Sequence, residues 1–157
     1  MQKIFDKIVI RVYALIIHEN RLLLSDEFWH DTPMTKLPGG GLEPGEGILD
    51  CLRRELLEEL NIEPAKAEHF LTFDKLVASD FANTTQVVPV YYLVQLADYS
   101  KIDTSAHRFD FKRLENGAMR NRWIELDQLD IEELTFVSDR EAIALYRKKK
   151  GLPGFIK

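Results

Sequence analysis

Gly39-Gly40-Gly41-Leu42-Glu43-Pro44-Gly45-Glu46-Gly47 runs directly into Ile48-Leu49-Asp50-Cys51-Leu52-Arg53-Arg54-Glu55-Leu56-Leu57-Glu58-Glu59-Leu60-Asn61-Ile62, and this stretch decides the fold. Its first half is a glycine-rich loop of the kind a tight turn uses. Its second half is helical: Leu49, Leu52, Leu56 and Leu60 recur at spacings of three and four and form an apolar stripe. Glu55, Glu58 and Glu59 share an adjoining face, because positions i, i+3 and i+4 are neighbours on a helix surface. Three carboxylates so placed repel one another unless a positive charge sits among them. Hard divalent cations are the natural partners of such an oxygen cluster.

At 157 residues the chain suits one domain, and 1–157 is read as a single unit. Its 45% hydrophobic and 30% charged residues are ordinary for a soluble globular protein. A formal charge of −5 argues against a surface that holds nucleic acid by its phosphates, so no nucleic-acid partner is expected. Small phosphorylated ligands remain compatible, because a bound metal inverts the local sign of charge. Cys51 is the single cysteine, which excludes an internal disulfide, and it reads as a small packing residue. Met1 to Asp6 lacks the apolar core of a signal peptide, and no apolar run approaches the ~20 residues that cross a bilayer. The expectation is a cytoplasmic protein without a membrane partner.

Outward from the central stretch, Ile8 to Ile17 reads as a buried strand, His18-Glu19-Asn20 as a hairpin turn, and Arg21 to Leu24 as a second strand. Ser25 to Lys36 has no clear period and reads as a surface loop, in which Trp29 either anchors the loop or stacks on a flat ligand. Asn61 suits the left-handed end of the helix and Pro64 stops it. His69 to Val77 reads as a strand and Asp80 to Thr84 as a turn. Gln86 to Leu96 is a strong strand whose Pro89 indicates an edge or a bulge. Asp98 to Met119 reads as a long loop with a short strand near Phe109-Asp110-Phe111, followed by a strand over Arg122 to Leu126. Ser138 or Asp139 is expected to cap a last helix, through Lys150, that Gly151 and Pro153 terminate. Its basic end, Arg147 to Lys150, complements the helix dipole or offers a phosphate-binding patch. The four histidines are scattered without ligand-like spacing. The order of elements gives an α+β fold, an α/β/α arrangement around a mixed sheet.

The spacing Gly40, five residues, Glu46, seven residues, Arg54-Glu55-Leu56, one residue, Glu58-Glu59, one residue, Asn61-Ile62 resembles the signature of the Nudix hydrolases. Asn61 stands where that signature expects glycine. Leu37-Pro38 resembles the usual lead-in, and Trp123-Ile124 with Leu126 resembles a late strand of the family. The resemblance implies an α/β/α sandwich carrying a central loop–helix–loop motif and a C-terminal helix. It also implies hydrolysis of a nucleoside diphosphate linked to another group, with Mg²⁺ or Mn²⁺. By position, Glu55, Glu58, Glu59 and the carbonyl of Gly39 match the metal ligands, and Glu55, Arg54 and Glu58 match the catalytic set. Gly40 and Glu46 match positions that support the loop.

The residues alone support the same chemistry. A pyrophosphate linkage repels an attacking hydroxide, so its hydrolysis needs a cation, and one carboxylate must take the proton of the attacking water. Glu55 is the expected base or water-orienting group; the resemblance implies that the base can instead come from a later loop, where Glu115 is the candidate carboxylate. Trp29 and Phe28, with Phe81, are candidates for stacking on a base. The resemblance leaves nucleoside triphosphates, nucleotide sugars, ADP-ribose and dinucleoside polyphosphates as candidate substrates, and it implies a homodimer as a candidate assembly. The alternatives are a catalytically idle Nudix-like domain that senses a nucleotide metabolite, and an isomerase reusing the fold.

Overall fold

The computed structural model describes residues 3–152, so Pro153 lies outside the described residues. Val12, Ala14 and Ile16 on one face and Tyr13 and Leu15 on the other are all buried, so the strand they form has a covered layer on each side. This is β1, Lys7–His18. Its even-numbered residues pack against Leu52, Leu56 and Leu60 of the first helix, α1, Ile48–Leu60. Its odd-numbered residues meet Tyr91, Ala142 and Ile143, the last two from the second helix, α2, Val137–Lys149. The expected α/β/α layering follows from this alternation along one strand.

β1 pairs antiparallel with β2, Arg21–Trp29, across a turn in which Glu19 and Asn20 both have positive φ, as the expected hairpin requires. It pairs in parallel with β7, Thr85–Leu96, over the register Lys7↔Thr85 to Ile16↔Val94. Between them in sequence lie β3, Thr32–Lys36, β4, Gly39–Gly41, α1, β5, Pro64–Thr72, and the two-residue β6, Val77–Ala78. The last strand is β8, Ala118–Glu125, which pairs antiparallel with β2. The sheet is therefore mixed, in the order β3-β2-β1-β7-β5. Among the described residues no helix is long and apolar enough to cross a membrane.

Several sequence expectations are corrected. Ser25 to Lys36 is not a surface loop: β2 continues to Trp29, turns at His30-Asp31, and returns as β3. Asp26 and Thr35 conceal the strands because they are buried against polar partners. Asp26 is fully buried, with Oδ2 accepting from Arg122 Nε at 2.8 Å and from the Phe109 N–H at 3.1 Å, and Oδ1 accepting from Thr35 Oγ1 at 2.7 Å. A buried carboxylate so paired satisfies a strand as an apolar residue would. Residues 109–111 form no strand; instead Thr104 bridges to Asn121. Pro89 lies neither on an outer strand nor in a bulge of β7. Its carbonyl accepts from the Phe73 N–H at 2.9 Å, so its missing N–H faces the gap where β5 ends and β6 begins. Neither Ser138 nor Asp139 caps α2, whose N-cap is Phe136; both are buried inside the first turn. Arg147 is buried and donates to the carbonyls of Leu126 and Leu129, so the basic end is in part a carbonyl clamp. Leu49 is 41% exposed, and Cys51 takes its place in the buried stripe.

Candidate functional site

The glycines do their work by close approach rather than by turning. Gly39–Gly41 is a strand, β4, paired with β1 through Val12↔Gly40. A Cβ on Gly39, at φ +141°, would fall 2.0 Å from the Val12 carbonyl oxygen. A Cβ on Gly40 would fall 2.4 Å from the Glu55 carboxylate, so the bare backbone is a cradle for that side chain. The turn itself comes later, at Pro44-Gly45. The Asp50 carboxylate then accepts from the Gly47 N–H at 3.0 Å and starts α1, and Asn61 ends it in the left-handed conformation, φ 55°.

Arg54 gathers the acidic side chains of this segment. Its Nε donates to Glu46, Nη2 to Glu46 at 3.1 Å and to the Gly41 carbonyl at 2.9 Å, and Nη1 to Glu55 Oε1 at 2.9 Å. The exposed Glu58 lies at 3.4 Å from Nη1. The Arg54 guanidinium, with help from the Glu43 backbone, lowers the Glu46 carboxyl to about 2. One cation thus ties the glycine segment to the helix and holds one oxygen of Glu55. Cys51 is inert packing, its thiol pushed up to about 11 by burial.

Glu59 faces inward. Its Oε2 accepts from the Gly39 N–H at 3.0 Å and its Oε1 lies 3.4 Å from Lys36 Nζ. Lys36 is almost fully buried and also lies 3.2 Å from the Gly39 carbonyl oxygen and 3.6 Å from Glu27 Oε2. Burial alone would lower the Lys36 ammonium, but Glu59 and Glu27 hold it above the ordinary lysine value. Among the described residues, no three His, Cys, Asp or Glu side chains converge as a metal cage. The carboxylates are instead drawn toward Arg54 and Lys36. The donor set nevertheless fits a hard divalent ion, being oxygen throughout, and the Gly40 cradle keeps Glu55 beside the Glu58 corner.

Lys36 links this face to a cavity of roughly 290 Å³ whose lining includes Arg11, Glu27, Trp29, Met34 and Phe81. Arg11 Nε donates to Tyr13 Oη at 2.7 Å, which fixes the guanidinium at the wall. Trp29 and Phe81 flank His30, at ring separations of 5.0 and 5.7 Å, and are 39% and 42% exposed. Phe28 alternates to the other side of β2 and meets Phe111, outside the cavity lining. Glu115 lies in an exposed turn held to the β2–β3 tip by the Gly117 N–H, which donates to the Phe28 carbonyl, and by the His30 N–H, which donates to Asn116 Oδ1. Among the described residues no hydrogen bond or ion pair joins its side chain to the three glutamates. Arg11, Glu27 and Lys36 were not singled out from the sequence. A lone arginine inside an otherwise apolar strand is the signal that marks Arg11.

Asp139 holds the segment from behind. Its Oδ1 accepts from Tyr91 Oη at 2.7 Å and its Oδ2 from the Leu37 N–H at 3.1 Å, next to Lys36. Burial raises its carboxyl from 3.8 to about 6. The folded state therefore binds this proton more tightly than the unfolded chain. The resulting stability is complete below about pH 4 and is lost as pH rises through 6, a change of about 2–3 kcal/mol. Thermal melts from pH 4 to 7 should show this component of the slope, and Asp139→Asn should remove it.

A sequence model of the NUDIX domain matches residues 7–146. Comparison with curated protein sequences finds no match. Among solved structures, a NUDIX hydrolase from Nitrosomonas europaea is 23% identical over 94% of this chain and 93% of its own, with a TM-score of 0.70. A MutT NUDIX hydrolase from Burkholderia pseudomallei is 24% identical over 88% and 98%, with a TM-score of 0.65. A structure described as an ADP compounds hydrolase is 16% identical over 91% and 74%, with a TM-score of 0.61. At these identities the structural likeness establishes the fold. The domain match spans β1, the glycine segment, α1 and most of α2, and on that ground the chain belongs to the Nudix hydrolase family.

Proposed function

We propose that this chain, acting as a single domain, is a metal-dependent pyrophosphohydrolase that cleaves a nucleoside diphosphate linked to another group by attack of water at phosphorus. The observation that carries this reading is the juxtaposition at Lys36. On one side Lys36 pairs with Glu59 of the helix that also carries Glu55 and Glu58, and on the other it lines a cavity with Arg11 in its wall and Trp29 and Phe81 at its rim. Glu55 and Glu58 are the groups that would hold Mg²⁺ or Mn²⁺, with Glu59 and the Gly39 carbonyl bordering them on the side that Lys36 fills. When bound, the metal supplies charge neutralisation of the diphosphate and a more acidic water.

The chain's own residues supply the rest. Arg54 fixes Glu55 Oε1, and among the described residues Oε2 accepts no hydrogen bond. Glu55 Oε2 is therefore the group that takes the proton from water as its oxygen bonds to phosphorus and the bridging oxygen leaves. Arg11 at the cavity wall offers positive charge to the phosphates, and Trp29 and Phe81 offer faces on which a base stacks. The substrate class is a nucleoside triphosphate, nucleotide sugar, ADP-ribose or dinucleoside polyphosphate.

Phosphate or nucleoside monophosphate release from such a panel with Mg²⁺ tests the reading. Turnover of at least one member is expected. Binding of a member without turnover by any would favour a metabolite sensor instead. Within this reading, Trp29→Ala should raise KM about fivefold or more, the equivalent of roughly 1 kcal/mol of stacking, while kcat changes little. An unaltered KM would place the base elsewhere.

A further inference from the structure

A buried ammonium costs several kcal/mol unless oxygen atoms surround it. Lys36 is 2% exposed, and its Nζ lies 3.2 Å from the Gly39 carbonyl, 3.4 Å from Glu59, 3.5 Å from the Leu37 carbonyl and 3.6 Å from Glu27. An ammonium has three donors and no acceptor, so this set occupies all of them and leaves none for a phosphate. Two carboxylates and two carbonyls around one positive charge also match the oxygen set that a hard divalent ion takes. The Glu55–Glu58 corner differs. Its counter-ion, Arg54, is partly exposed, and Glu58 is largely in solvent, so this corner is open to an incoming ion.

We infer that Lys36 is a built-in cation occupying the corner formed by Glu59 and the Gly39 carbonyl, which confines divalent ions to the Glu55–Glu58 corner. The inference rests on the reading of the glutamate face as the metal site. Its consequence is a site that binds fewer ions than its carboxylates alone would hold. A divalent ion entering the inner corner would have to expel Lys36 from four oxygen contacts, with no acceptor on the lysine to soften the repulsion. Lys36 acts here as a positioning residue: it holds Glu59 and the Gly39 carbonyl in place without itself touching the reacting atoms.

Titration of the substrate-free protein with Mn²⁺, followed by calorimetry and by the electron paramagnetic resonance of free Mn²⁺, tests this. Lys36→Met should bind one more Mn²⁺ per chain than the unsubstituted protein, and adding Glu59→Gln should abolish the extra ion. Equal stoichiometry in the unsubstituted protein and a folded Lys36→Met would overturn the inference while leaving the metal site intact. Mn²⁺ binding unchanged by Glu58→Gln would overturn both the inference and the reading beneath it. The unsubstituted protein gives a second measurement that needs no folded variant. The slowly exchanging Lys36 ammonium signal in ¹⁵N spectra should persist at saturating Mg²⁺, and its loss on adding Mg²⁺ would overturn the inference.

Discussion

Glu55→Gln is expected to lower kcat by about 10²–10⁴-fold, the usual worth of a positioned general base, which corresponds to roughly 3–5 kcal/mol of barrier. The substitution keeps the shape of the side chain and removes its ability to accept a proton. Its position gives the prediction its force. The Glu55 carboxylate sits on the bare backbone of Gly40, with one oxygen held by Arg54 at 2.9 Å. A glutamine there still fills the cradle, so the melting temperature should change little and the loss should fall on kcat rather than KM. Gly40→Ala should also lower kcat, because its Cβ would push the Glu55 carboxylate from the Arg54 contact. Since the obstructing atoms lie at the end of a flexible side chain, the stability cost of Gly40→Ala should be small. Steady-state kinetics and melting curves on both variants separate the effects. Full activity in Glu55→Gln would assign the proton acceptor to another group.

Gly39→Ala should have the largest effect on folding. Its Cβ would meet the Val12 carbonyl oxygen at 2.0 Å and the Tyr13 Cα at 2.8 Å, both backbone atoms of β1, and its φ of +141° is unfavourable for any L side chain. Overpacking of about 1–3 kcal/mol and a backbone cost of about 1–2 kcal/mol add to roughly 2–5 kcal/mol. Gly45→Ala provides the control. Gly45 also has positive φ, at 89°, but nothing lies within 4 Å of its Cβ, so only about 1–2 kcal/mol should be lost. Denaturant unfolding of the two variants measures the difference, and equal losses would show that close approach to β1 is not what requires glycine at position 39.

The central helix and its carboxylates were legible in the sequence, because periodicity, glycine spacing and end signals agree over Gly39 to Ile62. The first hairpin and β7 were legible for the same reason: β-branched and aromatic runs leave little choice. What stayed hidden is polar and buried. Asp26 and Thr35 face inward to Arg122, Phe109 and Arg108, so a pattern that equates polar with exposed reads β2 and β3 as a loop. Asp139 carries the signature of a helix cap, but its carboxylate reaches across to Tyr91 and Leu37. Lys36 lies three residues before Gly39 and looked like loop surface, though its ammonium is the positive charge nearest Glu59. Each of these roles needs at least one partner distant in sequence, Arg122 for Asp26, Tyr91 for Asp139 and Glu59 for Lys36, which local spacing does not reveal.

Hydrolysis of the panel in ¹⁸O-labelled water with Mg²⁺, read by mass spectrometry of the products for the unsubstituted protein and for Glu58→Gln, tests the account most directly. The account predicts metal-dependent turnover, one ¹⁸O in a phosphate product, and a loss of at least tenfold in Glu58→Gln. Turnover that persists without divalent metal, or is equal in Glu58→Gln, would contradict it.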